Sequence, residues 1–191
     1  MDIKKVIIIG SGTMGSGIAA QVANAGIPVI LLDLPSKEGS RNQIIENAKK
    51  KILKSRPPLL VEKNKIDLIS VGNIEDYFNL VGEADWVVEA VVERIDIKHS
   101  IYKKIEDVRK PESIISSNTS TIPLKVLSEN MSDEMKQNFC ITHFFNPVRY
   151  MGLLEIVTEP INDINKINFL KSFCDEKLGK GVILCKDTPG F

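Results

Sequence analysis

The sequence predicts an α/β fold, a mostly parallel sheet with helices on both faces. Short β-branched apolar runs recur along the chain and stop at glycine or polar residues, as strands buried on both faces do. Segments with apolar residues at helical spacing separate them. The 191 residues, 43% of them hydrophobic, suffice for one full domain with a sizeable core.

The elements follow in order. Val6–Ile9 is a buried strand stopped by Gly10. Residues 13–25 carry small and apolar side chains at helical spacing and close on Gly26, a C-terminal cap. Residues 28–33 form a second buried strand. Residues 36–65 interrupt the rhythm: polar, helix-permissive and broken at Pro57 and Pro58, they are expected to make a helical excursion after the second strand. Between Lys37 and Lys65 nine Lys/Arg stand against three Glu. Residues 84–92, 113–117 and Phe139–Phe144 repeat the strand signature, with helices expected at 94–108 and 123–129. Leu153–Thr158 and residues 182–185 read as later strands flanking a helix at 163–177.

Charge and cysteine content exclude several classes. With 25 basic and 25 acidic side chains the net charge is zero, so no overall field drives the chain onto nucleic acid or an anionic membrane. Cys140, Cys174 and Cys185 lack C-x-x-C spacing, which excludes a disulfide framework and an all-cysteine zinc cage; no metal site is expected. The N-terminus lacks the pattern of a secretory signal, and no uncharged apolar run approaches the ~18 residues of a membrane span. A cytoplasmic protein with reduced thiols is expected.

Gly10, Gly12 and Gly15 fit G-x-G-x-x-G, with Ser11, Thr13 and Met14 between them. The string gains weight from its context: a strand before it, a helix beginning inside it, and an acidic residue ending the next strand. Gly10 permits the tight turn, Gly12 a close approach of backbone to a pyrophosphate, and Gly15 close helix–strand packing. The N–H groups and dipole of the helix then face the anion. Asp33 lies where a carboxylate accepts both hydroxyls of an adenosine ribose. The arrangement is Rossmann-like and favours NAD over NADP, because Asp33 repels a 2′-phosphate; Lys37 and Arg41 nearby are the residues that would weaken that preference.

Of two histidines, His99 falls in a charge-rich helix and reads as a surface residue. His143 ends an apolar strand at the carboxyl edge of the sheet, where open α/β folds place ligands.

The run from His143 through Phe144, Phe145, Asn146 and Pro147, followed by Leu153, Leu154 and Glu155, resembles the signature of the L-3-hydroxyacyl-CoA dehydrogenases of fatty-acid β-oxidation. The segments Val87 to Glu93, Ser117 to Ser120 and Lys186 to Phe191 match the same family. The resemblance covers nearly the whole chain in order. It implies NAD-dependent oxidation of a 3-hydroxyacyl-CoA to the 3-oxoacyl-CoA, with His143 as general acid/base and Glu155 as its partner. An imidazole suits the proton because its ordinary pKa, ~6.5, lies near working pH, and a carboxylate on its far nitrogen fixes the tautomer. The resemblance further implies Ser120 and Asn146 around the reacting oxygen and dyad, Asn118 beside the cofactor, and Glu89 at its nicotinamide half. It places coenzyme A near the basic excursion, where Lys49, Lys50, Lys51, Lys54 and Arg56 are the candidates. The other reading of the same residues is a non-catalytic NAD-binding module; the His143/Glu155 pair argues against it.

Two segments depart from the commoner family pattern. After Glu93 the chain reads Arg94, Ile95, Asp96, Ile97, Lys98, leaving Arg94 and Lys98 as alternatives for a cofactor-contacting lysine. After Pro147 it reads Val148, Arg149, Tyr150, Met151, which resembles the branch of long proteins that also carry an enoyl-CoA hydratase domain. The family resemblance also implies that residues 1–191 are the NAD-binding domain alone, without the helical domain that closes the acyl-CoA cleft and makes the homodimer.

Overall fold

The computed structural model describes residues 2–188; residues 189–191, the end of the last family match, lie outside the described residues. Strand β1 (Val6–Ile9), helix α1 (Thr13–Asn24) and strand β2 (Val29–Asp33) form the opening βαβ unit. Val6 and Ile8 of β1 point into one core layer, Ile7 and Ile9 into the other. An unbroken apolar run is therefore what this strand requires. Helix α1 presents Ile18, Ala19, Val22 and Ala23 to the sheet. It ends as predicted: Gly26 takes φ +82°, and the Ile27 N–H donates to the Val22 carbonyl across the turn.

Past β2, helix α2 (Gln43–Lys54) is the only α-helical part of the predicted excursion, burying Ile45, Ala48 and Ile52. Residues 34–42 and 55–62 are irregular, and a 3₁₀ turn (Lys63–Leu68) leads into strand β3 (Ile69–Asn73). The excursion is thus shorter than expected, and it is the crossover connecting β2 to β3. β3 escaped the sequence reading because Ile-Ser-Val-Gly-Asn mixes a small polar residue and glycine into an edge strand. Strand β4 (Trp86–Glu89), helix α3 (Ile95–Val108), strand β5 (Ile114–Ser117), helices α4 (Leu124–Ser128) and α5 (Asp133–Gln137), and strand β6 (Phe139–Phe144) build the second half. Strand β7 (Leu153–Thr158), helix α6 (Ile164–Glu176) and strand β8 (Gly181–Lys186) complete it.

Among the described residues the strands form one sheet in the order β3-β2-β1-β4-β5-β6-β7-β8. Every neighbouring pair is parallel except β6 and β7. The order reverses between β1 and β4, so the carboxyl ends of those strands open the crevice where such sheets bind ligands. No helix among the described residues is long and apolar enough to cross a membrane.

A polar chain runs through the centre of the sheet. Trp86 Nε1–H donates to Ser116 Oγ at 3.0 Å, and Thr142 Oγ1–H donates to the same oxygen at 2.8 Å. All three residues are fully buried, so neither donor has water to fall back on. Ser116→Ala should destabilise the fold by about 1–3 kcal/mol through two stranded donors. Urea unfolding followed by the fluorescence of Trp86, the single tryptophan, measures it as a lower midpoint at unchanged slope.

Candidate active site

The glycine loop closes on itself. Gly10 sits at φ +104°, and a Cβ there would lie 2.4 Å from the Ala90 carbonyl oxygen. A Cβ on Gly15 would lie 1.8 Å from the Gly10 oxygen. Gly12 differs: a Cβ there would meet nothing within 4 Å, because its face opens on the crevice. Gly12 is also the N-cap of α1 and brings no side chain to cap the first turn, so the amides of that turn point toward the space that Gly12 leaves open.

Asp33, at the end of β2, is fastened to this loop. Its Oδ2 accepts from Ser11 N–H at 2.6 Å and Ser11 Oγ–H at 2.5 Å, and its Oδ1 accepts from Leu34 N–H at 2.7 Å. The carboxylate flanks a cavity of about 280 Å³ formed by Gly10, Gly12, Leu34, Ile74 and Val92 among others. Arg41 is turned away to other work: its guanidinium donates to Glu75 and Asp76 at 2.8 Å each, and these carboxylates hold it charged. Lys37 is exposed.

A second cavity, of about 390 Å³, lies on the other side of the loop, at the carboxyl ends of β4, β5 and β6. Met14, Asn118, Ser120, His143 and Asn146 all line it. His143 and Glu155 are register partners across the antiparallel β6–β7 pair, and His143 Nδ1 lies 2.7 Å from Glu155 Oε2. Both side chains are mostly buried, and the imidazole rests against the Phe145 ring at 4.5 Å between centroids. The Phe144 N–H donates to Asn118 Oδ1 at 3.0 Å, which leaves the amide NH₂ as the end a ligand in the cavity would meet. Thr13, the first residue of α1, is exposed and belongs to the lining of neither cavity.

Glu89 departs from expectation. It is fully buried beneath the cavity, where it accepts from Lys98 Nζ (2.7 Å), Tyr102 OH (2.5 Å), Ser117 Oγ (2.6 Å) and Val91 N–H (2.8 Å). With both carboxylate oxygens committed to the protein, it braces the strand ends. The glutamate on the cavity wall is Glu93, which the sequence reading did not single out. Of the two basic alternatives, Lys98 lines the cavity, whereas Arg94 is exposed and paired with Asp96. Both Val-Val-Glu repeats look alike in sequence; only the second glutamate lies beyond the strand end.

His99 is on the surface, with its ring nitrogens 2.9 Å from the Val126 carbonyl oxygen and 3.1 Å from Asn130 Nδ2. On α2, Lys49 donates to the Ile69 carbonyl at 2.5 Å, while Lys50, Lys51, Lys54 and Arg56 are exposed.

The sequence profile described as "3-hydroxyacyl-CoA dehydrogenase, NAD binding domain" matches residues 5–188. The chain belongs to this family. Two similar relatives match it over 100% of its length. One, from Rickettsia felis and named a fatty acid oxidation complex trifunctional enzyme, is 46% identical. The other, from Deinococcus radiodurans and named a 3-hydroxyacyl-CoA dehydrogenase, is 44% identical. The chain spans 26% of the first and 56% of the second. Among solved structures, an Escherichia coli 3-hydroxybutyryl-CoA dehydrogenase superposes with a TM-score of 0.86 at 28% identity, covering 100% of this chain and 40% of that one.

The family's cofactor is NAD, and the residues fit it: an open face at Gly12, an uncapped helix start and an anchored carboxylate at Asp33. Gly12→Ala should leave the melting temperature nearly unchanged yet weaken NADH binding about tenfold or more, because the methyl enters the crevice. Gly15→Ala should lower the melting temperature itself, since its methyl collides with backbone. Thermal melts alongside NADH fluorescence titrations separate the two.

Proposed function

We propose that this chain is the cofactor-binding part of an enzyme that oxidises an L-3-hydroxyacyl-CoA to the 3-oxoacyl-CoA in fatty-acid breakdown, with His143 as its general acid/base. The observation that carries the reading is His143, on the wall of a cavity that adjoins the glycine loop through Met14 and Ala90, with Glu155 2.7 Å from its Nδ1. A protein that merely holds a nucleotide has no use for an imidazole steadied by a carboxylate at that position.

NAD, when bound, supplies the two-electron acceptor that takes the hydride from the substrate carbon. The chain's own residues handle the proton. With Nδ1 turned to Glu155, proton exchange runs through Nε2: neutral His143 takes the hydroxyl proton as the carbonyl forms, and in the reverse direction returns it. Glu155 holds the tautomer and stabilises the imidazolium. Ser120 and Asn146 offer a hydroxyl and an amide to the reacting oxygen, and Asn118 offers its NH₂ to the cofactor's side of the cavity. Asp33 takes the adenosine ribose, with Ser11 holding the carboxylate in place. The exposed Lys50, Lys51, Lys54 and Arg56 of the α2 segment are the groups for coenzyme A phosphates. The cavity is open to solvent in the isolated chain. Much of the rate of such a reaction comes from orientation and a preorganised, water-poor surround, so binding and turnover should separate.

Titration of NADH by fluorescence should show binding to the 191-residue chain, weakened about tenfold or more in Asp33→Ala by loss of the charge-assisted ribose contacts. Equal affinity in the two would sink the ribose assignment. With acetoacetyl-CoA and NADH, the same chain should turn over far below the ~10 s⁻¹ of a typical enzyme. Joined to the remaining part of a relative's chain, it should become active, and His143→Gln should then lower kcat by about 10²–10⁴. A His143→Gln enzyme with undiminished kcat would refute the acid/base role.

A further inference from the structure

The charges around the second cavity do not cancel. Among the described residues its lining holds one carboxylate, Glu93, and one ammonium, Lys98, while the His143 imidazole is turned to a carboxylate of its own, Glu155. Lys98, 1% exposed, lies 2.7 Å from Glu89 and 3.2 Å from Glu93. Fully buried Glu89 claims that ammonium first, at the shorter distance and with further donors from Tyr102, Ser117 and Val91. One positive charge thus serves two carboxylates, and the surplus negative charge belongs to Glu93.

Glu93 stays ionised. Burial works to raise its pKa, but the Thr119 hydroxyl and the Lys98 ammonium outweigh it and hold the carboxyl below the usual range. Its Oε1 also accepts from Ser120 N–H and Thr121 Oγ1–H, at 3.3 Å each. The charge is therefore fixed in position by the loop after β5, on the cavity wall shared with Asn118, Ser120 and His143.

The two cavities divide the cofactor. Asp33 marks the adenosine end and Gly12 the pyrophosphate, so the nicotinamide ring extends toward Met14, Ala90 and His143. This step rests on the functional reading above. We propose that Glu93 tunes the redox-form preference of the site: its unmatched carboxylate favours the cationic nicotinamide of NAD⁺ over the neutral ring of NADH. Glu89 does not share the task, because its charge is balanced by Lys98. Two unit charges several ångströms apart at a half-exposed site should shift the ratio of the two dissociation constants by on the order of three- to tenfold.

The test compares NADH affinity by fluorescence with NAD⁺ affinity by calorimetry in the 191-residue chain, in Glu93→Gln and in Glu93→Asp. Glu93→Gln keeps the shape of the side chain and removes its charge, so NAD⁺ should lose about three- to tenfold in affinity relative to NADH. Glu93→Asp keeps the charge and should hold the ratio within about twofold of the unaltered chain's. Added salt should shrink the difference between the Glu93→Gln variant and the unaltered chain by screening. Equal weakening of both forms in Glu93→Gln, however large, would overturn the proposal, since a purely structural role for Glu93 predicts that result. A ratio altered as much by Asp as by Gln would overturn it too. If the unaltered chain bound neither form, the cofactor-domain reading itself would fall, and the proposal with it.

Discussion

His143 and Glu155 meet because β7 runs against β6. In an antiparallel ladder, residues directly opposite hold their side chains about 4.5–5.5 Å apart at Cβ, so backbone register alone brings an imidazole within reach of a carboxylate. The pairing also creates the connecting turn between Phe144 and Leu153, and the rest of the structure pins that turn. Buried Lys180 donates to the Val148 and Met151 carbonyls at 2.5 and 2.7 Å, and burial draws its pKa down. Arg149 and Tyr150 reach across to the Pro58 carbonyl, with Arg149 also on Leu60. Arg149 and Tyr150 thus tie the hairpin to the segment after α2.

The other half of the site depends on parallel strands ending level with one another. Ile9 of β1 pairs with Glu89 of β4, and Glu89 with Ser117 of β5. The residues immediately after these ends, Gly10, Ala90 and Asn118, therefore share one rim. Glu89 locks that rim from below. A buried carboxylate is costly unless paired and hydrogen-bonded, and here an ammonium, a phenol, a hydroxyl and an amide satisfy it. The same burial raises the Tyr102 pKa well above its usual range, keeping the phenol a donor to Glu89. Local rigidity under the cavity comes from this cluster, while the cavity's surface chemistry comes from residues one or two positions further along the chain.

What could be read directly from the amino acids were features whose cause is local. The runs at β1, β6 and β7 have the observed ends; in β1 both-face burial demands unbroken hydrophobicity, and β6 and β7 keep enough buried apolar positions to be read despite His143 and Glu155 within them. The glycine spacing announced the turn, and Gly26 the end of α1. Elements whose cause is not local were misjudged: β3 carries a weak strand pattern and exists by pairing with β2, while polar residues 36–65 permit far more helix than packing against α1 and β3 stabilises. His143, Asn118, Ser120 and Asn146, singled out one by one along the sequence, line one cavity, and the carboxylate at the end of β2 flanks the other. Only tertiary structure decided which of two similar glutamates faces the cavity and which is buried. It also decided that Lys98, and not Arg94, stands at the wall, and that Arg41 is spent on Glu75 and Asp76. Those outcomes turn on where a strand stops and which charges are brought together across the fold, and neither is written in any short stretch of sequence.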